Sequence, residues 1–211
     1  MSNIEKEKRF KVTLSALKNN IPFKNFIEIG GIDASFKNYI SHESWQILDK
    51  YGSPDIRVNL DGRDAKLPFK DNSIECFILT EVLEHLRMGM PLMNEIQRCL
   101  QKNGVLLISV PNMVSLANRL WWMLGKVPPQ AASSDCGKAL GGTGLLIDNY
   151  WEGGHVVDFN KNRFQKYVER SGLKLQKFYH TDAEIFKKTI FPRKLTPISL
   201  GDFLIATFKK K

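Results

Sequence analysis

The stretch LPFKDNSIECFILTEVLEHL, residues 67–86, decides how the rest of the chain is read. It opens on a polar turn, LPFKDNS, and runs into the apolar segment Ile74–Thr80. It ends among two carboxylates and an imidazole at Glu81, Glu84 and His85. An apolar run of this length, bounded by turn residues, predicts a strand buried on both faces. The acidic exit then places polar chemistry at that strand's carboxyl end.

Working outward, the same grammar repeats. FIEIGGIDASF, residues 26–36, carries Phe26, Ile27 and Ile29 around Glu28 and stops at Gly30-Gly31. A second strand is predicted over Trp45–Leu48, closed by Asp49, and a third over DIRVNL, residues 55–60. Downstream, PLMNEIQRCLQKNG offers Pro91 in a first helical turn, with Leu92, Met93, Ile96 and Leu100 along one face and Gly104 as a stop. VLLISV, residues 105–110, is a continuous apolar strand. Phe10, Leu14 and Leu17 fall at helical spacing before Ile21-Pro22, giving an N-terminal helix within residues 1–23. Asn160 can cap a helix bearing Phe164, Tyr167 and Val168, stopped by Gly172. LKLQKF and FLIATF supply the last strands. Strands alternating with helices imply a single doubly wound α/β domain over 1–211, with a mostly parallel sheet covered by helices on both faces.

Residues 113–150 break the alternation. One helix-like piece is followed by a Gly/Ser/Pro-rich loop, and a long irregular insertion of this kind is read as a lid. In MVSLANRLWWMLGK, the polar face would hold Ser115, Asn118, Arg119, Trp122 and Lys126. Val114, Leu116, Ala117, Leu120, Trp121 and Leu124 would take the rest. Tryptophans flanked by Arg and Lys suit either a flap packed over a substrate cleft or an interfacial helix meeting lipid headgroups through residues 113–126.

The 211 residues are 43% hydrophobic and 25% charged, ordinary for a globular chain. Cys76, Cys99 and Cys136 form no C-x-x-C pair, and MSNIEKEKRF has no apolar leader, so a reduced, cytoplasmic setting is expected. The net charge of +9 leans toward anionic partners.

In a doubly wound sheet, ligands bind outside the carboxyl ends of the strands, at a glycine turn and an acid about 20 residues on. Gly30 and Asp49 fit that description weakly. The motifs around them are more specific. LPFKDNSIECFILTEVLEHL resembles the LPF-x-D-x-S…E-V-L-E-H segment of class I S-adenosylmethionine-dependent methyltransferases. NEIQRCLQKNGVLLISVPN and GGHVVDFNKNRFQKYVERSGLKL are similar to two later segments of that family. The resemblance runs from about residue 24 to the C-terminus, apart from the insertion. It implies a Rossmann-like, seven-stranded sheet whose final strand, within 203–208, is antiparallel.

The same resemblance implies S-adenosyl-L-methionine as cofactor. Glu28 would be the acid of the first strand, with Gly30, Gly31 and Asp33 in the cofactor loop and Asp49 on the ribose hydroxyls. Asp61 or Asp64, with Ala65, would border the adenine, and Thr80 and Glu81 the methionine portion. Ile32 stands where the family has its second glycine. The expected activity is O-methyl transfer to a small or lipid- or glycan-linked acceptor. A metal-dependent RNA 2′-O-methyltransferase and a non-catalytic methyltransferase-like partner module are the alternatives.

If helical, Glu81, Glu84 and His85 would face one side, suiting Mg²⁺ or Mn²⁺. The E-x-x-E-H pattern resembles that of two metal-using branches, the ubiquinone-biosynthesis O-methyltransferases and the small-RNA 2′-O-methyltransferases. The RNA branch adds a histidine placed as His155 is here, nine residues before Phe164. Without metal, Glu84 and His85 would be a helix-start acid and a hydrogen-bonded histidine, and His85 or His155 would serve as general base.

Overall fold

The computed structural model describes residues 3–19, 23–30, 36–128, 133–135, 138–140, 146–147, 155–185 and 188–210. The helices are α1 (Asn3–Asn19), α2 (Gly89–Cys99), α3 (Leu116–Met123) and α4 (Lys161–Glu169). The main-sheet strands are β1 (Asn25–Ile29), β2 (Ser44–Asp49), β3 (Ile56–Arg57), β4 (Ile74–Thr80), β5 (Leu100–Pro111), β9 (Lys174–Tyr179) and β12 (Phe203–Lys209). The short strands β6 (Ser133–Asp135), β7 (Lys138–Leu140) and β8 (Leu146–Ile147) make a small sheet within the insertion. β10 (Ala183–Ile185) and β11 (Lys188–Phe191) make an antiparallel hairpin between β9 and β12.

The seven strands run in the order β3-β2-β1-β4-β5-β12-β9, with β4 at the centre. All pairs from β3 to β5 are parallel, while β12 is antiparallel to both β5 and β9. This is the mostly parallel, Rossmann-like sheet that the sequence implied, including the reversed strand at 203–208.

The side-chain period of two explains why β4 is apolar throughout. Phe77 and Leu79 enter one core cluster, and Cys76 and Ile78 enter the other. Leu106 and Ile108 of β5 and Leu204 and Ala206 of β12 join the first cluster, while Leu107 and Ile205 join the second. α2 and α4 cover the first face with Leu92, Met93, Ile96, Phe164 and Val168. The second face is closed by α1 through Val12, Ala16 and Leu17.

Three local details differ from the sequence reading. α2 stops at Cys99, and Leu100 is already extended opposite Ile74, so QKNG belongs to a bulge at the start of β5 rather than to the helix. Asn103 there adopts φ 66°, a value that an asparagine tolerates. DIRVNL pairs only over Ile56–Arg57. The 183–191 hairpin was not anticipated, because its strands are too short to give a periodic signal. By contrast, the Asn160 cap is present, its side chain accepting from the Arg163 N–H at 2.9 Å. No described helix is long and apolar enough to cross a membrane.

Leu17 is 3% exposed and anchors α1 to the second face. Leu17→Ala is expected to cost about 2–4 kcal/mol. Urea denaturation should show this as a lower midpoint with an unchanged slope.

Candidate active site

Parallel strands align their carboxyl ends, so β1, β2, β4 and β5 deliver Gly30, Asp49, Glu81 and Pro111 to one edge of the sheet. The reversed β12 begins at the same edge, with Phe203 opposite Pro111. Gly30 has φ 76° and donates its N–H to the Leu48 carbonyl at 2.9 Å. A Cβ at that position would lie 2.3 Å from Cγ2 of Val82, so the first loop leaves its strand at a point only glycine can occupy. Glu28 is buried; its carboxylate accepts from the Phe36 N–H at 3.2 Å and from the Trp45 indole N–H at 2.9 Å. It therefore braces the chain on either side of residues 31–35. Gly31, Ile32 and Asp33 lie outside the described residues.

Asp49 sits beside Gly30 in the ladder and accepts from the Tyr51 N–H at 3.0 Å. The two acids of the tract 61–64 stand in different surroundings. Asp61 accepts from the Met88 N–H at 2.9 Å, tying the tract to the start of α2, whereas Asp64 is exposed. The Ala65 N–H closes a turn on the Gly62 carbonyl at 3.3 Å. Thr80 is half-buried opposite Ser109.

The EVLEH segment is not an α-helix. Glu81 takes φ 56°, a left-handed conformation uncommon for a non-glycine residue, and a 3₁₀ turn follows over Leu83–His85. That twist turns Glu81 away from Glu84 and His85, so the expected four-residue ligand set loses it. Glu81 Oε1 accepts from the Ser109 hydroxyl at 2.8 Å, and its Oε2 lies 3.0 Å from the Arg9 guanidinium. Arg9 and Glu81 are 15% and 12% exposed, an ion pair largely withdrawn from water but lacking an aligned hydrogen bond. Burial lowers the Arg9 pKa from its ordinary value, an effect offset in part by the charge of Glu84.

Glu84, His85 and His155 do converge. One ligand atom from each lies within 4.8 Å of the others, and the two imidazole centroids are 5.1 Å apart. The convergence has a backbone cause. The N–H groups of Val156 and Val157 donate to the Glu84 carbonyl at 2.8 and 3.2 Å, pinning the segment after the lid onto the 3₁₀ turn. Glu84 is 1% exposed, and neither carboxylate oxygen has a hydrogen-bond partner among the described residues. Burial, opposed by the Arg9 charge, pushes its pKa up to about 8.

α3 divides the face on which the sequence grouped its polar residues: Ser115 and Asn118 are buried, whereas Arg119, Trp122 and Lys126 are exposed. Ser115 caps α3, and the Asn118 amide donates to the Asn112 carbonyl at 3.1 Å. Asn112 in turn donates to the carbonyls of Ser199 and Gly201 at 3.1 and 2.7 Å, fixing α3 to the chain before β12. Trp122, Met123, Leu124 and Val127 are left exposed. Sequence reasoning missed Arg9 and Asn112: each acts on residues remote in the chain, and neither lies in a motif.

Residues 22–108 match the protein family described as a methyltransferase domain. That segment holds Gly30, Asp49 and the whole Glu81–His85 turn. Over that segment, about two fifths of the chain, the protein matches a methyltransferase domain. Over 125 residues it is 29% identical to an uncharacterized protein of Methanocaldococcus jannaschii, a match covering 56% of this chain and 59% of that protein. The chain thus spans less than two thirds of that relative's length. Among solved structures, an S-adenosylmethionine-dependent methyltransferase of Thermotoga maritima superposes with TM-score 0.62 at 16% identity, covering 96% of this chain and 89% of that one. The 1,6-didemethyltoxoflavin-N1-methyltransferase of Burkholderia thailandensis, solved with its substrate and S-adenosylhomocysteine, gives 0.57 at 12% identity, covering 99% of this chain and 81% of that one. At these identities the structural likeness concerns the methyltransferase fold. His155 and the lid lie beyond the family match, so the histidine pair joins a family segment to one outside it.

Two outcomes test this geometry. Arg9→Met leaves Glu81 withdrawn from water without its counter-charge and is expected to cost about 2–3 kcal/mol by urea denaturation. In chelator-treated protein the native state holds a proton on Glu84 that the unfolded chain releases near 4.5. The native state therefore binds more protons, and stability should fall as pH rises from about 4.5 to about 8. Glu84→Gln should flatten that fall in pH-dependent melting curves.

Proposed function

We propose that the protein transfers the methyl group of S-adenosylmethionine to an oxygen of a small or lipid- or glycan-linked acceptor held over Glu84, His85 and His155. The observation that carries this reading is the buried Glu84 carboxylate, 3.8 Å from the His85 imidazole and beside that of His155, at the sheet edge where the cofactor loop begins. The cofactor supplies an electrophilic methyl group, so the chain's task is alignment and proton handling. Asp49 receives the ribose hydroxyls, and the turn ending at Ala65, with exposed Asp64 rather than the engaged Asp61, borders the adenine. Glu28 acts through the loop it braces, and Glu81 through Ser109 and Arg9, rather than by touching ligand. An acceptor hydroxyl approaches from the lid side. As its oxygen bonds the methyl carbon and the carbon–sulfur bond breaks, its proton passes to His85 or His155, which accept in their neutral forms.

The donor set also fits a divalent cation. A buried carboxylate whose oxygens accept no side-chain hydrogen bond among the described residues suits a ligand, and two imidazoles would bring the donors to three. With Glu81 outside the set and two imidazoles within it, Mn²⁺ is favoured over Mg²⁺. An ion bound there would draw down the acceptor hydroxyl's pKa.

Titration calorimetry should show S-adenosylhomocysteine binding, weakened at least about tenfold by Asp49→Ala, the loss of roughly one charge-assisted hydrogen-bonded contact. No heat with either form of the cofactor would leave a non-catalytic partner module. Mn²⁺ should raise the melting temperature of the wild type but not of Glu84→Gln or His155→Ala. Activity and stability indifferent to both chelator and Mn²⁺ would leave the histidines as the proton acceptors alone.

A further inference from the structure

Among the described residues, seven of the eleven large apolar side chains that are exposed fall in two groups. One group ends α3 and follows it: Trp122, Met123, Leu124 and Val127, with Met123 79% exposed. The other lies on β11 and the turn after it: Ile190, Phe191 and Leu195, with Leu195 73% exposed. The elements that bear them touch, since α3 packs against β10 and β10 pairs with β11. Both also rise from the same edge of the sheet. α3 follows the carboxyl end of β5, and the hairpin is inserted between the end of β9 and the start of β12, where Phe203 pairs with Pro111.

The exposed charge on these two segments has one sign, and the neighbouring acid of β10, Glu184, is buried and paired with Lys8. Residues 113–128 carry Arg119 and Lys126 and no acid, and residues 188–200 carry Lys188, Arg193 and Lys194 and no acid. Arg119, Lys126, Lys188, Arg193 and Lys194 are all exposed. Beside Leu195, an open groove of about 730 Å³ runs between α1 and residues 192–195, lined by Lys8, Lys11, Arg193 and Lys194. Its one acid, Asp182, is occupied: it accepts from the Arg193 N–H at 2.7 Å and lies 4.0 Å from Lys8.

We propose that this face rests on an anionic lipid surface. Apolar tips ringed by cations suit the headgroup–acyl boundary, where the tips enter and the ammonium and guanidinium groups meet phosphates. The groove between α1 and Pro192–Leu195 then takes a lipid phosphate. The candidate active site lies at the same edge of the sheet, so an amphiphilic acceptor could be methylated without leaving the membrane. That last consequence rests on the acceptor proposed above; the surface contact itself does not.

Co-sedimentation of the full chain with vesicles tests the contact without any turnover. The protein should bind phosphatidylcholine vesicles containing phosphatidylglycerol and leave pure phosphatidylcholine vesicles in solution. Raising salt should weaken the binding steeply. Arg193→Glu combined with Lys194→Glu should reduce binding to the mixed vesicles at least about tenfold. Leu124→Ser combined with Leu195→Ser should reduce it while leaving the salt dependence in place. S-adenosylhomocysteine binding should be unchanged in both variants, which separates loss of this face from failure of the cofactor site or of the fold. Equal binding to both vesicle types, or variants that bind as the wild type does, would overturn the proposal. So would displacement by millimolar glycerol phosphate, which would make a soluble anion the ligand, or tighter binding to a short RNA than to vesicles.

Discussion

Arg9 is the constraint on which this edge of the sheet depends. It reaches from α1 to Glu81, which is also held by Ser109 of β5, so helix, central strand and neighbouring strand meet at one carboxylate. Glu81 takes φ 56° with one oxygen hydrogen-bonded by Ser109 and the other facing the Arg9 guanidinium. That conformation makes the chain turn sharply after β4, tucks Val82 under Gly30, and starts the 3₁₀ turn that buries Glu84. The cation's field also reaches Glu84, opposing the burial that disfavours its charge. A helix far away in sequence thus sets both the shape and the electrostatics of the site.

The histidine pair depends on a second, independent restraint. His85 is placed by the turn, but His155 returns from beyond the lid, held because Val156 and Val157 bond the Glu84 carbonyl. Backbone hydrogen bonds are specific about register, so the imidazole is delivered to one position however the lid before it is arranged. The carboxylate that receives them is costly to bury alone, and a fold that retains it has kept a destabilising group where a ligand can meet it.

Much of this was legible in the sequence. Ile74–Thr80, Val105–Val110 and Phe203–Phe208 announce themselves because strands buried on both faces need apolar residues at every position. The resemblance that singled out His155, nine residues before Phe164, named a residue that lies beside His85 in the structure. What was not legible has a common physical cause. Whether Glu81 shares a face with Glu84 depends on a single backbone dihedral, set by Arg9 and Ser109, which no local pattern records. Nor does helical spacing tell which way α3 turns. Ser115 and Asn118 are buried, the Asn118 amide bonding the Asn112 carbonyl while Asn112 bonds the carbonyls of Ser199 and Gly201 before β12. Polar residues that pay their desolvation through the main chain look, in sequence alone, like surface.

Glu28 has a consequence for how freely the cofactor loop can vary. Its two oxygens grip Phe36 on one side and the neighbouring strand's Trp45 on the other, so the ends of the loop are fixed by a buried group outside it. The entropy lost in closing a loop depends on its length and on where its ends are held, and only weakly on what lies between. Held from Glu28, the two ends keep their separation whichever residues lie between them, so an isoleucine at position 32 and a glycine there would meet the same anchorage.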